Sequence, residues 1–212
     1  MLILRLLAGA LLLGSTGHAL AQTLPPARLD SVAHAQQVAA FQQHLNQEFS
    51  SPQESPLSAS ERRAFTTLPY YPTGYRYYVV GRLVRDSTAQ LFPMATSTTR
   101  RPLYRKYGDV FFTLAGRQLQ LGVYQSQDLL ARPGLADYLL LPFTDLTSGH
   151  GSYGGGRYLD LRIPPNGGTT LLLDFNCAYN PSCAYSAGYS CPVPPAENHL
   201  PIAIPAGVRS DH

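Results

Sequence analysis

Between Asp30 and Phe49, apolar side chains recur at Val38, Phe41, Leu45 and Phe49, three and four residues apart, with Leu29 and Val32 one to two turns earlier. This spacing gathers them on one stripe of an α-helix, amphipathic and suited to packing on a sheet. Asp30 or Ser31 is placed to cap its start. Ser50-Ser51-Pro52 ends it, because the residue before a proline is pushed out of the helical region. Ser58-Ala59-Ser60-Glu61 fits a capping box and predicts one or two further helical turns through Phe65, before Pro69.

After Pro69 the period changes to two. Arg76 to Arg85 is rich in β-formers, and Val110 to Leu114 with Arg117 to Tyr124 flank Ala115-Gly116 as a hairpin, with Leu119, Leu121 and Val123 on one face. Tyr138 to Phe143 is almost wholly apolar and predicts an interior strand covered on both faces. Arg157 to Ile163 and Thr169 to Asn176 predict a second hairpin around Pro164-Pro165-Asn166-Gly167-Gly168, with Leu159, Leu161 and Ile163 facing away from Tyr158, Asp160 and Arg162. Six to eight strands without alternating helices predict a mainly β, α+β fold: an antiparallel sandwich or barrel-like domain carrying an N-terminal amphipathic helix.

The first 21 residues follow a different pattern. Arg5 precedes the apolar run Leu6 to Leu13, and Ala19-Leu20-Ala21 supplies the small residues a signal peptidase accepts. The run is too short for a membrane span, since Gly14 to His18 interrupts it. The expected division is a signal peptide over 1–21, a helix and connector over 22–69, and a β-rich domain over 70–212, with the cleaved chain secreted or periplasmic. Hydrophobic residues at 44% against 14% charged exclude a wholly disordered chain. A net charge of only +3 excludes a polycationic nucleic-acid binder. No later stretch is apolar for long enough to span a bilayer. Nothing in the sequence specifies an oligomeric state.

Cys177, Cys183 and Cys191 lie together in a chain expected to mature under oxidising conditions, where a disulfide is allowed. Cys183 with Cys191 is the favoured pair, leaving Cys177 a buried thiol; the spacings do not fit zinc, and neither a metal nor a cofactor is expected. Gly149-His150-Gly151-Ser152-Tyr153-Gly154 has the letters of a dinucleotide fingerprint but opens a strand, not a helix. It reads either as an anion-binding nest beside Arg157 or as a tight turn needing positive φ. Asp145, His150 and Ser152 lack the nucleophile elbow of a serine hydrolase. Arg100, Arg101, Arg105 and Lys106 form a basic cluster that reads as an anion site or a solvated edge. Asp174, Asn176, Tyr179, Asn180, Glu197 and Asn198 are the densest polar text. Their oxygens suit Ca²⁺ or a polar ligand, or simply hold irregular turns.

Leu141-Pro142-Phe143-Thr144-Asp145-Leu146-Thr147, Tyr153-Gly154-Gly155-Gly156-Arg157-Tyr158-Leu159-Asp160-Leu161, Asp174-Phe175-Asn176, Ala178-Tyr179-Asn180-Pro181, Cys183-Ala184-Tyr185, Cys191-Pro192 and Pro194-Pro195-Ala196-Glu197-Asn198 occur in this order. Together they resemble a secreted bacterial family known only as a domain of unknown function, the DUF1684 type, in a compact Bacteroidetes-like form. The resemblance runs from about Asp30 to Arg209 and implies no established activity. It implies that Arg157, Asp174, Asn176, Tyr179, Asn180, Glu197 and Asn198 converge on one pocket. Ser152, where the family has Thr, and His150, which it does not fix, count against a Ser-His nucleophile. Cys177, where the family has a basic residue, counts as the unpaired thiol. Three functions follow as expectations. The first is binding of a small polar or anionic ligand through that pocket, with Arg157 on the anionic group. The second is a hydrolase using Asp174 or Glu197 as general base. The third is a structural or protein-interaction module.

Overall fold

The computed structural model describes residues 28–210, so the expected signal peptide lies outside the described residues. Helix α1 spans Ser31–Ser50, and Asp30 caps it by accepting the backbone N–H groups of Val32 and Ala33. It ends where Ser51 turns extended before Pro52. Helix α2, Ala59–Ala64, carries the expected capping box between Ser58 and Glu61. A short α3, Gln127–Leu130, follows the fourth strand.

Seven strands form one antiparallel sheet: β1 (Tyr78–Arg85), β2 (Leu91–Pro93), β3 (Leu103–Leu114), β4 (Arg117–Ser126), β5 (Tyr138–Phe143), β6 (Arg157–Arg162) and β7 (Thr170–Asp174). Their order is β6-β5-β4-β3-β1-β7, with β2 paired to β3 off this path, and the sheet curls into a half-barrel. The hairpin expected around Ala115-Gly116 is present, and both residues take positive φ. Strand β5 is buried along almost its whole length between β4 and β6.

The hairpin expected between β6 and β7 does not form. Strand β6 pairs with β5 and β7 pairs with β1, so the two strands are the opposite edges of the curled sheet. Hydrogen-bonding positions that a hairpin would use are taken elsewhere: Tyr138 faces Arg162 on β5, and Leu83 N–H donates to Thr169 O beside β7. The Pro-Pro-Asn-Gly-Gly connection therefore spans an open seam.

Inside the curl, Val79, Leu83, Val110, Phe112, Leu121, Val123, Leu139, Leu141, Phe143, Leu159, Leu171, Leu173 and Phe175 form the main core. A second cluster gathers Met94, Tyr104, Tyr124, Leu140 and Tyr158, with Tyr138 and Tyr179 packed against it. Helix α1 contributes Val38, Leu45 and Phe49 as expected, but Val32 is exposed and its place on the stripe is taken by the buried His34. Among the described residues no helix is long and apolar enough to cross a membrane.

Candidate functional site

Arg157 is locked inside the core. Its side chain has no exposure; one guanidinium nitrogen lies 2.7 Å from Asp145 Oδ2, itself fully buried. It also donates to the carbonyls of Ile204 and Ala206 and, at longer range, to Val208 O and Thr147 Oγ1, so it fastens the C-terminal segment to β6 and to the Asp145 turn. Gly149, Gly151 and Gly156 all have positive φ. A Cβ at Gly156 would stand 2.6 Å from Phe143 O. The glycine run is thus a tight turn delivering Arg157 into the core. Ser152 is buried against Thr147 while His150 is exposed, and Asp145 serves Arg157, so no nucleophilic triad assembles.

The asparagines are backbone clamps. Asn198 Nδ2 donates to the carbonyls of Gly122 and Pro142, and its Oδ1 accepts from Gly122 N–H. These bonds splice β4 to β5 where the ladder has shrunk to one pair, Tyr124 with Leu140. Asn176 makes the same reciprocal pair with Gly74, and Asn180 reaches the Tyr185 hydroxyl. Glu197 is also occupied: it accepts from the Tyr124 hydroxyl and lies 2.9 Å from Lys106 Nζ, which also meets Asp109. In the basic cluster Arg100 pairs with Asp128 and Lys106 with Asp109 and Glu197, while Arg101 donates to the carbonyls of Thr98 and Arg100.

Asp174, at the end of β7, has both oxygens engaged. Oδ1 accepts from Asn176 N and Nδ2, while Oδ2 accepts from His34 Nε2 at 2.9 Å, with the Cys177 thiol 3.6 Å away. His34 is buried and stacks on Tyr78, ring centroids 4.6 Å apart. The pair fixes α1 to the sheet. Asp174 and Glu197 have no hydrogen-bond partner in common among the described residues, and Arg157 bonds to neither of them. Burial and the neighbouring Asp174 carboxylate push the Cys177 thiol well above its ordinary range, which keeps it protonated and unreactive.

A cavity of about 620 Å³ does lie beside Asp174, in the seam between β6 and β7 under α1. Leu29, Phe41, Tyr78, Leu161 and Leu172 give it an apolar wall, and Gln37, Asp160, Asp174, Cys177 and Tyr179 supply its polar edges. Among the described residues, neither Arg, Lys nor His lines it. A second cavity, of about 920 Å³, follows the β6–β7 connection and shares Asp160, Leu161 and Leu172 with the first. Asp160 stands at their junction. Its Oδ1 accepts from the hydroxyls of Tyr138, at 2.7 Å, and Tyr179, at 2.6 Å. Among the described residues no group bonds its other oxygen, and the side chain is exposed. Asp160 and His34 are the residues that sequence reasoning missed. Asp160 carried a signal, as the one acid on the outward face of β6; His34 carried only its place on the helix stripe, 140 residues from its partner.

Cys183 and Cys191 stand as free thiols, so the expected disulfide is not present in this structure. Instead, Cys183 N–H donates to Cys191 Sγ at 3.3 Å. Among the described residues, no group of three or more His, Cys, Asp or Glu side chains is placed to hold a metal.

Tyr124, Tyr138, Tyr158 and Tyr179 are all raised above the ordinary phenol value of 10, burial being the largest cause in each, reinforced by Glu197 at Tyr124 and by Asp160 at Tyr138 and Tyr179. A phenol whose folded pKa is raised stabilises the fold fully below its unfolded pKa and loses that contribution above it. Denaturant unfolding monitored against pH should therefore show these groups costing nothing up to about pH 10, then a steady loss of stability as the unfolded chain ionises. Ultraviolet titration should show the four phenols ionising only with alkaline unfolding.

A family model described as "Protein of unknown function (DUF1684)" matches residues 63–209, which takes in every strand and leaves out α1. The chain is also similar to the solution NMR structure of an uncharacterized protein from Haloarcula marismortui. The two are 33% identical, with a TM-score of 0.67 over 86% of this chain and 97% of that one. Among curated proteins, none matches it. On this match across the whole sheet, the chain belongs to the DUF1684 family.

Proposed function

We propose that the protein is an exported binding protein whose site is the seam pocket, and that its ligand is a small organic molecule with an apolar body and a cationic or hydrogen-bond-donating end. The observation that carries this reading is Asp160: a carboxylate with one oxygen oriented by two phenols and the other free, at the junction of two cavities, the nearer of which has no cation on its walls. Small-molecule sites have this form, a mostly apolar concave surface with a few convergent polar groups. An anionic head would meet two carboxylates, so the polar end is a donor and not the anion that Arg157 had suggested. Export rests on Arg5, the apolar run after it and Ala19-Leu20-Ala21, with cleavage after Ala21.

Hexylammonium is a suitable probe, with hexanoate as its charge-reversed match. In calorimetry, hexylammonium should bind with a Kd of about 1 mM, and hexanoate should not. Asp160→Asn, an exposed and sterically neutral change, should weaken hexylammonium about tenfold or more, the worth of a hydrogen bond to a charged group. Glu197→Gln should leave it unchanged. Equal binding of the two probes, or full binding by Asp160→Asn, would contradict the reading.

A further inference from the structure

The segment from Pro181 to Val193 covers the tyrosine cluster, and its far end is well fastened. Cys191 N–H donates to Ser97 Oγ, Ser97 N–H donates to Cys191 O at 2.8 Å, and Val193 N–H donates to Ala95 O at 2.8 Å. The Tyr158 hydroxyl donates to Pro192 O from below. Its near end is a single 3-10 turn, Ser182–Ala184. The two cysteines bring these ends together. Cys191 Sγ sits 3.3 Å from the backbone nitrogen of Cys183. Both residues are half-buried and so within reach of a small solute. Cys177, by contrast, faces Asp174 in the seam and takes no part.

We propose that Cys183 and Cys191 are a site of reversible oxidation, converted by low-molecular-weight disulfides into an intramolecular bridge that locks the 183–191 segment over the tyrosine cluster. Burial also pushes the Cys191 thiol up, to about 11, so the reaction runs through a small thiolate fraction and quickens with pH: one cysteine thiolate attacks the small disulfide, forming a mixed disulfide and expelling one small thiolate. The second cysteine thiolate attacks the protein sulfur of that intermediate, the mixed S–S bond breaks, and a second small thiolate leaves. The two cysteine protons end on the two expelled thiols. The protein is oxidised by two electrons and the small disulfide is reduced by two. Export to an oxidising compartment would supply such disulfides. The inference does not depend on the seam pocket being the ligand site.

The test uses the full folded protein with excess oxidised glutathione, quenched in acid and read by intact mass and peptide mapping. The expected product has lost two hydrogens, contains one Cys183–Cys191 cross-link and retains a free Cys177. Closing so short a loop should slow hydrogen exchange at the Ser97 and Val193 amides by up to about a hundredfold, and reduction should restore the original rate. Cys183→Ser and Cys191→Ser should each stop at a glutathione adduct on the remaining cysteine. Separate adducts on both cysteines of the unaltered protein, a cross-link through Cys177, or no reaction would overturn the proposal.

Discussion

Arg157→Ala should lower the unfolding free energy by about 3 to 5 kcal/mol, the range for removing one partner of a buried ion pair. Both side chains of the Arg157–Asp145 pair are fully buried. Truncating the arginine leaves the Asp145 carboxylate charged in the core and strips the Ala206 carbonyl of its donor, while the Ile204 carbonyl keeps only the Ala206 N–H. Asp145→Ala should cost a similar amount by leaving the guanidinium uncompensated and by freeing Thr147 N–H, which Asp145 accepts at 2.6 Å. A double replacement, Arg157→Met with Asp145→Leu, should recover part of the loss because it removes both charges, though not all of it, because the Ala206 carbonyl remains without its donor. The check is urea unfolding, with a lower midpoint at an unchanged slope. If Arg157→Ala kept its midpoint but lost hexylammonium binding, Arg157 would be a ligand residue after all.

Asn198→Ala should be nearly as damaging, costing about 2 to 4 kcal/mol by leaving up to three buried backbone groups without partners. The side chain is wholly buried and makes its three bonds to Gly122 and Pro142 across the weakest junction of the sheet. The near-isosteric Asn198→Asp should be worse than Ala, since a carboxylate would face two carbonyl oxygens where an amide now donates. Hydrogen exchange gives the local signature: the Gly122 amide should lose its protection in both variants before the strands beyond β4 do. A surface role for Asn198 would leave that amide unaffected.

How far the sequence could be read follows from the range of the interactions involved. The α1 caps, the Ser58–Glu61 box and the β3–β4 hairpin depend on residues a few positions apart, and all were legible. The first half of β3 was not, because the exposed Arg105 and the half-buried, ion-paired Lys106 read as a charge cluster with Arg100 and Arg101. The β6–β7 relation failed for the opposite reason: a turn-rich connection between two β runs looks like a hairpin whether or not the strands pair, and pairing is decided by β5 and β1. The candidate site suffered the same limitation. Buried Asn and Arg clamps and a ligand pocket draw on the same residue types, so Arg157, Asn176 and Asn198 looked functional while serving the backbone. Asp174 was found. Its partner His34, on a helix, gave no local sign of the pairing.

The central claim is that ligand chemistry lies in the seam, at Asp160 and the α1 wall, and not in the motif-dense clamps around Arg157 and Asn198. A single titration tests it most directly: amide chemical shifts of the full folded protein recorded against hexylammonium. The expected result is a saturable set of shifts confined to the seam, at Gln37, Asp160, Leu172, Asp174, Cys177 and Tyr179, and absent in Asp160→Asn. Shifts centred instead on Gly149 to Arg157 or on Glu197 and Asn198, with the seam silent, would contradict it.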